Sequence, residues 1–171
     1  MKAWSLYTHV LGNTYAGHEG YDDVLGFRYS YDSGVPNHLQ VSVGDLIVPR
    51  DGSGSLGAAF VERIADKAGT KTRRRCPTCT TPQIEERISM VPRYRCTKGH
   101  VFDDPRVTED AATLYRAEYG KSFAGTTDIG PDELEALCLA RSWQNAIREI
   151  DLDRTLAALR RRGILPAFTT H

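Results

Sequence analysis

The chain reads as an α+β protein in which a small twisted β-barrel comes first and a helical region follows. Three observations predict this. Up to about residue 75, short apolar runs, alternating or continuous, are bounded by Gly, Asp, Asn and Pro, the punctuation of strands and turns. After about residue 108 the apolar spacing changes to that of amphipathic helices. Between the two regimes, 72–105 carries three of the four cysteines and reads as an insertion. The expected organisation is a barrel over 1–108 that contains this insertion, and a helical region over 109–171 packed on the barrel. A length of 171 residues suits one folding unit with a normal core.

In order along the chain, "WSLYTHV" and "FRYSY" supply the first strands. The run "HLQVSVGDLIVPRDGSGSLGAAFVERI" reads as strand, Gly44-Asp45 turn, strand, Gly/Ser loop and strand, and its short loops favour antiparallel pairing. The polar segment 12–26, "GNTYAGHEGYDDVLG", is a long loop of the kind that usually carries function. Three helices are expected beyond 108. "TEDAATLYRAEYGKS" offers Thr108 as N-cap with acids in the first turn. "GPDELEALCLAR" places Pro131 near N1 with Leu134, Leu137 and Cys138 on one face. "DLDRTLAALRRRG" aligns Leu152, Leu156 and Leu159, with basic residues before Gly163 at the C-terminal cap.

No run approaches the roughly 20 apolar residues needed to cross a bilayer, and the first residues lack a signal peptide's apolar core, so a cytoplasmic protein without a membrane partner is expected. The net charge of zero hides clustering. Lys71, Arg73, Arg74, Arg75, Arg87, Arg93, Arg95 and Lys98 crowd around the cysteines, and Arg160, Arg161 and Arg162 form a second group. Such a split presents one basic face to phosphate, although an ordinary solvated surface fits the same charges equally well.

The cysteines stand as Cys76-x2-Cys79-x16-Cys96-x3-His100. Two short knuckles bracketing 15–20 residues are a zinc pattern, here with the last thiolate replaced by imidazole. Gly99 supplies the turn that the longer reach to His100 needs. Four protein ligands leave no open position for a metal-bound water, so the expected Zn2+ is structural. Cys138 reads as a small apolar residue. With His100 a ligand and His171 terminal, only His9, His18 and His38 remain for acid–base work, and no nucleophile-elbow, zincin or phosphate-loop motif occurs. "PNH" at 36–38 is similar to the Asn-His of a nuclease site but has no partner ligand at suitable spacing. No enzyme is expected.

Four ordered blocks, "NTYAGHEGYDD" (13–23), "YSYDSGVPNHLQVSVGDLIVPRD" (29–51), "LGAAFVERI" (56–64) and "RRCPTC…VPRYRC…FDDP" (74–105), together resemble the N-terminal reader domain of modification-dependent HNH restriction endonucleases, an EVE-like member of the PUA superfamily related to SRA-type readers. The resemblance covers about two thirds of the chain and extends more weakly to "SWQNAIREID"; with the chain ending at His171, a reader without a nuclease domain is expected. It implies a PUA/EVE/SRA-like twisted barrel that binds double-stranded DNA carrying 5-methylcytosine or 5-hydroxymethylcytosine, in several members by flipping the base into a pocket. It implies a solitary, nucleoid-associated reader, acting alone, as a homo-oligomer or with a separate nuclease.

A flipped base needs aromatic faces and polar groups for its edge. Tyr15 or Tyr21, with Tyr31, supply the faces in this reading, and Asn13, Asp32 and Ser33 the hydrogen bonds, Asp32 accepting from the cytosine amino group. A Tyr on a strand more often serves half-buried packing, and an Asp in a turn more often forms an Asx cap. Lys71, Arg73, Arg74, Arg75, Arg93 and Lys98 are the expected phosphate contacts. Two other readings stay open: a PUA-like module for RNA, whose splayed bases suit an aromatic loop, and a subunit whose helical tail docks a separate nuclease.

Overall fold

The computed structural model describes residues 1–8, 22–125, 128–140 and 145–164. Its strands are β1 (Ala3–Tyr7), β2 (Arg28–Asp32), β3 (Leu46–Asp51), β4 (Gly54–Ser55), β5 (Gly57–Phe60), β6 (Arg63–Arg75), β7 (Ile84–Glu86), β8 (Tyr94–Cys96), β9 (Val101–Phe102), β10 (Arg106–Glu118), β11 (Ala124–Gly125) and β12 (Ile147–Ile150). The helices are α1 (Pro131–Leu137) and α2 (Leu152–Arg161), with a 3-10 turn at Gly120–Ser122. The protein is mostly β, with 44% strand and two α-helices among the described residues. No helix among them is long and apolar enough to cross a membrane.

Two compact units result. The first takes its described residues from 1–8, 22–67 and 113–164, the second from 68–112. The first holds a mixed sheet in the order β11-β5-β3-β1-β12, with β4 beside β3. β1 runs parallel to β3, Ala3 opposite Leu46 and Tyr7 opposite Arg50, and antiparallel to β12. This corrects the expectation of antiparallel pairing throughout. The intervening β2 belongs to another sheet, ordered β2-β10-β6, so the chain leaves the mixed sheet and re-enters it in the same direction.

The near-continuous burial of β1 and β3 follows from a sheet covered on both faces. On one face Trp4, Leu6, Ile47, Ala59 and Ile147 pack with Tyr29, Tyr31 and Ala117 of the three-stranded sheet and with Tyr119 just beyond β10. On the other, Ala3, Leu46, Val48, Ala58 and Ile150 pack with Leu134, Leu137, Ala158 and Leu159 of the helices. Among the described residues no barrel closes.

The helix expected from Thr108 is instead most of β10 and the 3-10 turn that follows it. Its alanines and acids suit a helix, but Tyr115 and Ala117 lie opposite Tyr31 and Tyr29 on β2 and bury toward the core at period two. Tertiary packing overrides the local preference. The run "HLQVSV" is turns, because Leu39 and Val43 are exposed while Val41 is buried, and the Asp45 carboxylate gathers the chain by accepting from the N–H groups of Lys2 and Ser42 and from the Trp4 indole. α1 does begin at Pro131. α2 is capped by Asp151, which accepts from the Arg154 N–H, and it lays Leu152, Leu156 and Leu159 on the mixed sheet before Gly163 turns at φ 70°.

Candidate metal centre and aromatic cluster

In the second unit, Cys76 follows β6 and opens a turn in which the Thr80 N–H donates to the Cys76 carbonyl at 2.9 Å. Cys96 closes β8, and a second turn follows, with the Gly99 N–H on the Cys96 carbonyl at 2.9 Å and Gly99 at φ 87°. That left-handed conformation is the role expected of Gly99. The Cys96 N–H then meets the His100 carbonyl at 2.9 Å, so both knuckles are fixed by main-chain bonds. β7, β8 and β9 form the supporting sheet, and the Tyr94 and Phe102 rings stack at 6.0 Å.

The four side chains converge. Cys79 Sγ lies 3.8 Å from Cys96 Sγ, while His100 Nδ1 lies 3.6 Å from Cys76 Sγ and 3.4 Å from Cys96 Sγ. All four ligand atoms fall within 4.8 Å of one another. A tetrahedral ion about 2.3 Å from sulfur and about 2.05 Å from nitrogen requires S···S near 3.8 Å and S···N near 3.6 Å. The donor set therefore fits a four-coordinate metal ion. Burial opposes ionisation of Cys76, but the N–H groups of Cys79 and Thr78 and the neighbouring thiols outweigh it and draw its pKa down to about 6. The Thr81 N–H favours the Cys79 thiolate, yet burial and the two other thiols push this group up on balance. Cys138 lies outside the cluster, with its thiol 3.4 Å from the Leu134 carbonyl.

Most of the expected phosphate-binding residues in this unit have partners of their own. Arg73 and Arg75 share Asp110 at 3.2 and 2.7 Å, Arg93 pairs with Glu86, and Arg74 donates to the Tyr94 hydroxyl at 3.3 Å. Lys71 is half-buried, whereas Lys98 is exposed. Arg95, Lys98 and Arg106 are the exposed cations without a carboxylate partner among the described residues of the unit. Arg95, part of the basic cluster but not of the expected phosphate contacts, and Arg106, outside both, escape a reading from sequence because spacing cannot show which arginines the neighbouring strand neutralises.

In the first unit, Tyr31 stacks on Tyr29 at 5.7 Å and on Tyr115 at 5.2 Å, and His38 tilts against Tyr115 at 5.6 Å. Tyr31 is only 1% exposed, so its ring offers no open face. Its buried hydroxyl has no hydrogen-bond partner among the described residues, and burial, with the Tyr115 phenol adding to it, pushes its pKa up to about 12. Asp32 is also 1% exposed and accepts from the Gly34 N–H at 2.7 Å, an Asx turn. The Ser33 hydroxyl accepts from the Thr113 N–H at 3.1 Å. Asn13, Tyr15 and Tyr21 lie outside the described residues. Tyr115 and His38 bring this cluster to half-buried positions; the sequence hides Tyr115 because its segment has helical spacing, and shows His38 only as an isolated histidine.

A recess of about 410 Å³ touches the same sheet, lined by Ser30, Tyr31, Tyr115, Arg116, Arg63 and Lys67 among others. Strand alternation sets Ser30 and Arg116 on the face opposite the Tyr31 and Tyr115 rings. Charges at the recess already pair, Arg116 with Asp22 at 3.4 Å and Arg63 with Glu118 at 4.0 Å. No protein-family model matches the chain, and no curated protein or solved structure matches it.

Proposed function

We propose that the protein is a non-catalytic reader of double-stranded DNA carrying modified cytosine, its two facing sheets being an opened form of a PUA/EVE-like barrel. The observation that carries this reading is the Tyr31 hydroxyl, buried beside Tyr115 and His38 without a partner among the described residues. A buried hydroxyl left unpaired costs about 1–3 kcal/mol, and a ligand that brings an acceptor recovers that cost on binding. The ring nitrogen and carbonyl oxygen of cytosine are such acceptors. Tyr115 is the ring on which an extruded base stacks.

In the second unit the metal is zinc, which three thiolates and one imidazole hold in a closed tetrahedral set. Its role is to stiffen the segment that carries Arg95, Lys98 and Arg106. These residues supply affinity through phosphate without reading sequence. The methyl group adds only about 1 kcal/mol of burial, so the preference for modified over plain duplex is expected to be modest, roughly 10- to 200-fold at most.

The test is fluorescence anisotropy at one fixed salt concentration with matched duplexes that differ by 5-methylcytosine at a single CpG. A tighter curve for the modified duplex supports the reader. Coincident curves would remove it.

A further inference from the structure

The loop joining β7 to β8 leaves its apolar side chains in water. Ile88 is 100% exposed, Val91 89% and Met90 56%. An unpaired aliphatic cluster at a hairpin tip is unfavourable in a free protein unless something covers it during function. The loop is nevertheless braced. The Arg87 N–H donates to the Arg93 carbonyl at 2.7 Å, the Arg87 guanidinium donates to the Pro92 carbonyl and approaches the Met90 sulfur at 3.9 Å, and the Arg93 N–H donates to Asp103 at 2.8 Å. Cys96, at the far end of β8, belongs to the metal centre. The tip is thus a short, supported, apolar point.

We propose that Ile88, Met90 and Val91 form a wedge that enters the base stack of a DNA duplex, with Arg95, Lys98 and Arg106 holding the flanking phosphates. The wedge rests on the DNA-reader proposal above. Charge complementarity selects this occupant. The unit spanning 68–112 has nine Lys and Arg against six Asp and Glu. Of these acids, Glu86 and Asp110 are held in ion pairs and Asp103 accepts from the Arg93 N–H, while Arg95, Lys98 and Arg106 have no carboxylate partner among the described residues. Branched or flexible aliphatic side chains flanked by cations are the chemistry by which proteins part adjacent base pairs and kink a duplex. Unstacking beside a modified cytosine would also lower the barrier to extruding it.

The experiment uses the full-length, metal-loaded protein and a duplex with one 5-methylcytosine and 2-aminopurine placed in turn at each neighbouring position. Binding by the unaltered protein is expected to raise 2-aminopurine fluorescence at one step. Ile88→Ser combined with Val91→Ser is expected to abolish that rise and weaken affinity by at least about tenfold, the scale of a lost apolar contact, with metal content and melting temperature unchanged. Preferential binding to the modified duplex with no fluorescence rise at any position, or a double variant that behaves like the parent, would overturn the wedge and leave the reader standing. Failure to bind either duplex, with Ile88- and Val91-dependent sedimentation on phosphatidylserine vesicles, would overturn both and make the tip a lipid contact.

Discussion

Asp45 shows how one buried carboxylate organises the first unit. It is 4% exposed and accepts from the N–H of Lys2 at 2.8 Å, the Trp4 indole at 2.8 Å and the N–H of Ser42 at 3.0 Å. Asp45→Ala orphans these donors, and the cost expected from unpaired buried groups is about 3 kcal/mol, a large part of a typical domain's stability. A urea melt showing a loss below about 1 kcal/mol would mean that water replaces the carboxylate. Tyr31 and Tyr119 make a pH prediction. Burial raises both phenols from 10.0 to about 12. Between these values the folded chain binds more protons than the unfolded one, so stability is intact below pH 10 and falls as pH rises toward 12, by about 1.4 kcal/mol per pH unit for each phenol. Alkaline melts of Tyr31→Phe should show about half of that slope. At this scale the cluster of Cys76, Cys79, Cys96 and His100 is legible because its spacing is local in sequence. Asp45 was legible only as a turn residue, because two of its donors come from β1 and its flank, more than 40 positions away.

The elements divide according to how far their partners lie. α2 carries its own evidence in a leucine stripe, the Asp151 cap and Gly163, and it forms where the sequence placed it. β10 does not, because its strand character lies in what it pairs with, Tyr115 against Tyr31 and Ala117 against Tyr29. The paired and unpaired cations near the metal centre lead to a contrast testable by salt titration. Lys98→Ala or Arg106→Ala should reduce the slope of log affinity against log salt by about 0.9, the loss of one phosphate contact. Arg73→Ala, which removes a guanidinium already bound to Asp110, should leave that slope unchanged and alter stability by no more than about 1 kcal/mol. Equal changes in slope would mean that Asp110 releases Arg73 when DNA binds.

At the scale of the whole chain, two units of unlike construction share one polypeptide. The first is held by two apolar clusters on opposite faces of the mixed sheet. The second has few buried apolar side chains, chiefly Tyr94 with the buried cysteines, and small units of this kind usually depend on a metal. Chelation should therefore abolish hydrogen-exchange protection around 76–104 while β1, β3 and β12 keep theirs. Loss of protection in both regions would mean that the metal supports the entire fold.

The position of β1 has a further consequence for biosynthesis. It is made well before β12, yet its neighbours in the sheet are β3 on one side and β12 on the other. At a synthesis rate of about 5–20 residues per second, Trp4 and Leu6 wait roughly 7–30 s before Ile147–Ile150 leave the ribosome to cover their open edge. Until then the emerging chain carries an apolar strand with unpaired N–H and C=O groups, a template for misassociation. A chain cut short at residue 140 should for this reason aggregate, however well its metal-binding segment forms.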